Sequence, residues 1–306
     1  MNKNSLFLIL MFVAMVFWGS SWPSSKILIE YTSAPVITFW RFFFALLASI
    51  PLVLFLKISL RIGPRDLKFL LLAAVFNSFY SIAYFIALHY GSAGKGGVLV
   101  TTMTPIFTYL LFFIMRKFKK DNEKIASKTE ILGLILGVIS GICLLKLGSV
   151  SNLFGTFNLL FLFCALDWAV LTLIMHRVRI HPIAINFYIT LFSVIYWLPL
   201  FFFENTMLDI FDFEIRFWMM LCLVAILSTA VGTSVFYIGV MRLGAIKAST
   251  FTLLIPATAL ITSYFILGEK PDILTIFGGT LAVFAIYLIN LYKPAHLKFF
   301  KKNKGI

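Results

Sequence analysis

The sequence predicts an all-α polytopic membrane protein of ten transmembrane helices, built as two inverted five-helix repeats. Three observations predict it. Of 306 residues, 61% are of the hydrophobic types and only 12% are charged, against about 45–50% and 25% in an ordinary soluble domain. The mean hydropathy is +1.00, which excludes both a soluble globular enzyme and a disordered chain. Apolar runs of about 20 residues, the length needed to cross a bilayer, follow one another through nearly the whole chain.

The spans are placed at 6–29, 36–56, 67–88, 96–115, 130–147, 153–175, 182–203, 217–240, 248–267 and 272–292. The first opens after Lys3 but runs on into Trp18-Gly19-Ser20-Ser21-Trp22 without a small-residue cleavage pattern, so it reads as a retained span. With the N-terminus inside, 20 of the 26 basic residues fall in cytoplasmic segments and five fall outside. The remaining one, Arg41, lies within a span. This satisfies the positive-inside rule and places both termini in the cytoplasm. The net charge of +14 is accordingly read as topological, with the basic tail after Lys293 as an anchor and nucleic acid not expected as a partner. Cys143, Cys164 and Cys222 all lie in apolar runs and read as small hydrophobes.

The chain repeats itself at a nearly constant offset. Trp18-Gly19 returns as Trp168-Ala169, Ala34-Pro35 as His181-Pro182, Pro51 as Pro199 and Phe85 as Phe236. Gly91-Ser92 with Lys95 resembles Gly244-Ala245 with Lys247, Pro105 pairs with Pro256, and Glu123-Lys124 pairs with Glu269-Lys270. Five spans is an odd number, so the second copy enters from the opposite face. Inverted copies suit a device that opens alternately to either side around a midplane site, which points to a transporter.

These residues resemble the drug/metabolite transporter superfamily, in its ten-helix EamA type. The resemblance is carried by Trp18-Gly19-Ser20-Ser21 with Lys26, Ala34-Pro35 followed by Arg41-Phe42, and the segment 84–105. Its clearest part is the stretch 244–256 followed by Leu267-Gly268-Glu269-Lys270-Pro271 and Gly278-Gly279. The first half departs from the pattern, having a longer, basic segment at 116–123 in place of a short Leu-Gly-Glu turn. The resemblance implies a first repeat over 1–150 and a second over 151–306 that ends in the basic tail. It also implies a bacterial-type inner-membrane carrier with a central cavity, and outward transport of small metabolites such as amino acids. The alternative is an exporter of multiple drugs or cationic compounds.

Candidate site residues follow from polar groups at membrane depth, which are costly unless paired or wet. Asn77, Tyr80, Ser81 and Tyr84 form one helical stripe, and Ser228, Thr229, Gly232, Thr233 and Tyr237 form its counterpart in the other half. Both read as cavity lining, with ordinary inter-helix hydrogen bonding as the alternative. Ser21 and Trp22 join them beside Pro23, which is expected to kink the first span. Pro105 and Pro256, flanked by Thr101, Thr104, Thr252 and Thr258, are read as mid-span hinges in corresponding helices.

Asp167 and Arg41 stand out as charges inside spans, at depths too different for a direct ion pair. Asp167 is a candidate for coupling or counter-charge. Arg41 is expected either to attract an anionic substrate group or, more simply, to extend outward to the interface. Lys26 is a further charge candidate. His176 and His181 have no third ligand at metal spacing, so no metal or other cofactor is expected. No nucleophile–base constellation suggests an enzyme. Expected partners are the lipid bilayer and a small-molecule substrate. Gly133, Gly137 and Gly141 read first as intramolecular packing, with a homodimer seam as the alternative.

Overall fold

The computed structural model describes residues 3–118, 128–145, 155–175, 177–243, 251–252 and 254–290. Its elements are α1 (Lys3–Leu28), α2 (Ala34–Phe55), α3 (Pro64–Tyr90), α4 (Ala93–Phe118), α5 (Lys128–Leu145), α6 (Thr156–Met175) and α7 (Pro182–Trp197). Two 3-10 turns (Leu198–Phe202 and Asn205–Asp212) lead into α8 (Ile215–Cys222). A π-helical stretch (Leu223–Gly232) joins α8 to α9 (Thr233–Leu243) in one rod, and α10 (Ile255–Leu267) and α11 (Ile273–Asn290) follow. Strands are absent among the described residues.

Local chemistry explains the boundaries. Pro35, Pro64, Pro182 and Pro256 all sit in the first turn of their helices, where the missing N–H costs nothing. Gly268 closes α10 in the left-handed region at φ 69°, and its N–H donates to the Tyr264 carbonyl at 3.0 Å. Lys57 takes the same role after α2 at φ 51°, unusual for a residue with a Cβ.

Among the described residues, six helical segments are long and apolar enough to cross a bilayer: Leu6–Leu28, Ala34–Phe55, Pro64–Tyr90, Thr156–Met175, Pro182–Phe202 and Ile215–Gly239. Shorter apolar helices cover Ile131–Ser140, Ile255–Leu267 and Ile273–Leu288. Phe55, Phe202, Phe265 and Ile273 are each more than three-quarters exposed, an arrangement that water would penalise and lipid would not.

The packing has a pattern. Helix α3 lies along α6, and the α8–α9 rod lies along α1. Helix α4 also lies along α6, and α10 lies along α1. Helix α2 packs on α7, α4 on α10, and α5 on α11. Small residues permit the close crossings. A Cβ on Gly19 would fall 2.1 Å from Thr258 Oγ1 and 2.8 Å from the Ala259 backbone nitrogen, so α1 and α10 meet almost backbone to backbone. Ser140 Oγ donates to the Gly278 carbonyl at 2.7 Å, which makes the α5–α11 seam an intramolecular contact. The segment between α7 and α8 covers one end of α2, where Trp40 Nε1 donates to the Met207 carbonyl at 2.8 Å. The Tyr31 hydroxyl donates to Glu214 beside it, and that carboxylate raises the phenol above its ordinary range.

Candidate functional site

Helices α1, α2, α3 and α6 and the π-helical stretch converge on a ladder of rings and charges. The Tyr80 and Tyr84 rings stack at 5.9 Å, one helical turn apart on α3. Trp22 of α1 meets Tyr84 edge-on at 4.7 Å, and Trp168 of α6 meets Tyr80 at 4.9 Å. The Tyr84 hydroxyl donates to the Ser21 carbonyl at 3.2 Å.

Arg41 enters from α2. Its Nη1 reaches Ser81 Oγ at 3.3 Å and its Nε reaches Thr229 Oγ1 at 3.4 Å. The guanidinium carbon also lies 5.9 Å from the ring centres of Phe42, Tyr84 and Phe85. Arg41 therefore turns inward, and its expected extension to the interface is corrected. The cause is geometric: Ser81 and Thr229 offer acceptors on the bundle side, and aromatic faces stabilise a cation there. Both hydrogen bonds are at the long end of the ordinary range.

Asp167 of α6 is 4% exposed, and its Oδ2 has no hydrogen-bond partner. Among the described residues no hydroxyl or indole N–H donates to that oxygen, and no ion pair joins Asp167 to Arg41.

The π-helical stretch orients its side of the cluster. Thr229 and Thr233 hydroxyls donate five residues back, to Val224 O at 2.8 Å and Ser228 O at 3.4 Å. The Ser228 carbonyl also accepts from Trp18 Nε1 at 3.1 Å, which ties α1 to the rod. Such departures from α geometry are frequent at functional sites.

Not every candidate joins the cluster. Ser21 and Thr101 hydroxyls turn back to their own helices, to Trp18 O at 2.7 Å and Gly97 O at 2.6 Å. Asn77 donates to Ser193 Oγ at 3.2 Å, bridging α3 and α7. Tyr237 sits further along α9 with its hydroxyl on Met175 Sδ at 3.5 Å. Thr252 lies beside Phe251, which packs on Phe7 and Met11 at the start of α1. Pro23 and Pro105 are interior to α1 and α4. Pro256 occupies the first turn of α10, just after the helical residues 251–252 and a turn at Leu254, where a proline is accommodated without losing a helical bond. His176 and Glu123 fall outside the described residues.

A second polar constellation joins Lys26, a charge candidate from the sequence, to Glu269, which was not one. Lys26 Nζ donates to the Leu88 carbonyl and, at 3.0 Å, to the Gly91 carbonyl, at the C-terminal end of α3. Glu269 accepts from the Ala93 and Gly94 N–H groups at 2.8 and 2.9 Å, at the N-terminal end of α4. A cation thus meets the carbonyl end of one helix and an anion the N–H end of the next, each on its favourable side of the helix dipole. The sequence signal was the Gly268-Glu269 pair, a left-handed helix stop that projects the next carboxylate.

Comparison with known proteins places this geometry. The model of the EamA-like transporter family matches the chain twice, over residues 5–146 and 156–291. The chain is 26% identical over 293 residues to the uncharacterized transporter YetK of Bacillus subtilis, covering 92% of this chain and 85% of that one. It is 25% identical over 295 residues to an uncharacterized transporter of Archaeoglobus fulgidus, covering 93% and 97%. A crystal structure whose description names no function superposes with a TM-score of 0.60 at 14% identity over 94% of this chain and 97% of that chain, a likeness of fold alone. With apolar helices of spanning length and a family match over both halves, this chain belongs to the EamA-like transporter family and is a multi-pass membrane transporter.

Proposed function

We propose that the protein is a secondary carrier of small metabolites, amino acids or related compounds, working by alternating access. It has ten spans in two inverted repeats, 1–150 and 151–306, and both termini lie on the cytoplasmic face of a bacterial-type inner membrane. Two matches of one family model support the repeat division. The packing supports it too: exchanging each helix of the first half with its counterpart turns α3 on α6 into the α8–α9 rod on α1, and α4 on α6 into α10 on α1. Export is the direction implied by the family resemblance.

The observation that carries the reading is the meeting of Arg41, from the first half, with Thr229, from the second, in a ring-lined cluster at the seam. A seam between inverted halves is where substrate binds in such carriers. Two long hydrogen bonds leave the guanidinium available to an anionic substrate group.

The test is counterflow in proteoliposomes loaded with a pool of amino acids and other small metabolites. Accumulation of one compound class, abolished by Arg41→Gln, is the expected result. Passive equilibration without counterflow overturns the carrier reading in favour of a pore. The unpartnered Asp167 carboxylate supports a second reading, an exporter of cationic compounds, and accumulation of organic cations alone would favour it.

A further inference from the structure

We propose that Asp167 is the receiving group for a substrate ammonium, with the Tyr80 and Trp168 rings as the wall of that subsite. The inference rests on the carrier reading and narrows its substrate class to compounds bearing a protonated amine.

Three observations converge. Asp167 is 4% exposed, and its Oδ2 has no partner. A carboxylate buried in that way is expensive, and is normally answered by a cation or by several donors. Among the described residues no cation answers it, because Arg41 is directed to Ser81 and Thr229. Finally, α3 meets the Asp167 turn of α6 through Tyr80: its ring lies 4.9 Å from the Trp168 ring, and its carbonyl accepts at 3.8 Å from Cys164 Sγ, one turn before Asp167. Aromatic faces beside a carboxylate are the surroundings in which ammonium ions are held, through the ring quadrupole on one side and charge on the other.

The alternative occupant, a hydroxyl from the protein itself, is disfavoured locally. The nearest polar neighbour on the same helix face is Cys164, whose weak S–H donor is directed to the Tyr80 carbonyl at 3.8 Å. Arg41 lies 5.9 Å from the Tyr84 ring, which stacks on Tyr80, so a compound with an acidic and an amino group would meet a cation toward one end and a carboxylate toward the other.

The test uses the full-length protein and three probes that share a phenyl ring: 2-phenylethylamine, phenylalanine and 3-phenylpropionate. Thermal stabilisation in detergent reads the subsite, and counterflow of each labelled probe reads carriage. The amine and the amino acid should stabilise the protein while 3-phenylpropionate does not. Asp167→Asn should weaken the amine about tenfold or more, as loss of a charged hydrogen-bond partner does. Asp167→Glu, which moves the carboxylate by one methylene, should weaken it less, and it serves if the asparagine variant does not fold. Amine affinity unchanged in either variant overturns the proposal, and so does stabilisation by 3-phenylpropionate alone or by none of the probes. Counterflow of 3-phenylpropionate alone would remove the ammonium subsite and leave the carrier. Amine stabilisation that depends on Asp167, without any counterflow, would leave the subsite and remove the carrier.

Discussion

The α3–α4 junction and the central cluster use the same kinds of residue to opposite ends. At the junction, Lys26 meets two carbonyls and Glu269 meets two N–H groups. At the centre, Arg41 holds two hydroxyls at 3.3 and 3.4 Å, and Asp167 Oδ2 holds nothing. The first arrangement is satisfied and stabilises a helix–helix turn. The second leaves capacity that a ligand can use. Buried polar groups that are fully paired rigidify, whereas incompletely paired ones call for a functional explanation.

Four variants test that contrast, and Glu269→Ala carries the largest expected effect. It leaves two helix N-terminal N–H groups without their acceptor and should cost about 3 kcal/mol by the usual worth of charged hydrogen bonds. The measurement is the melting temperature in detergent, and an unchanged Tm would mean the junction is not held by this carboxylate. Gly91→Ala comes next. Its Cβ would lie 1.9 Å from the Phe157 ring, and overpacking of this kind costs about 2 kcal/mol. A second-site Phe157→Leu change should recover most of the loss, whereas failure to recover would mean that the clash with this ring is not its cause.

Asp167→Asn should act in the other direction. Removing an unanswered buried charge should stabilise the ligand-free protein by about 1 kcal/mol while impairing transport, a trade between stability and activity typical of functional sites. A lowered Tm would place Asp167 among the structural groups. Ser81→Ala is expected to be the mildest, at about 0.5 kcal/mol or less, since inter-helix hydrogen bonds in membranes average about that. Its effect should appear in substrate affinity in the counterflow assay rather than in Tm.

Much of the fold was legible because the relevant signals are local. The six described helical segments of spanning length followed from apolar runs. The aromatic stripe Tyr80–Ser81–Tyr84 followed from its spacing, and its members do meet Arg41 and Trp22 in the structure. Other parts of the site were not legible. Nothing in the runs around Ser21 and Thr101 shows that their hydroxyls turn back to Trp18 O and Gly97 O. Nor does Pro256 reveal from sequence that α10 begins at Ile255.

By itself the sequence determined that this chain is apolar and helical, because composition, periodicity and turn chemistry act within a few residues or along the whole chain. Only the tertiary structure decided that Arg41 faces inward, that Lys26 and Glu269 hold one junction, and that Asp167 is left unanswered. Those outcomes depend on how each helix is rotated and where it crosses its neighbours. A polar side chain's partner is chosen by that rotation, over separations such as the 176 positions between Ala93 and Glu269.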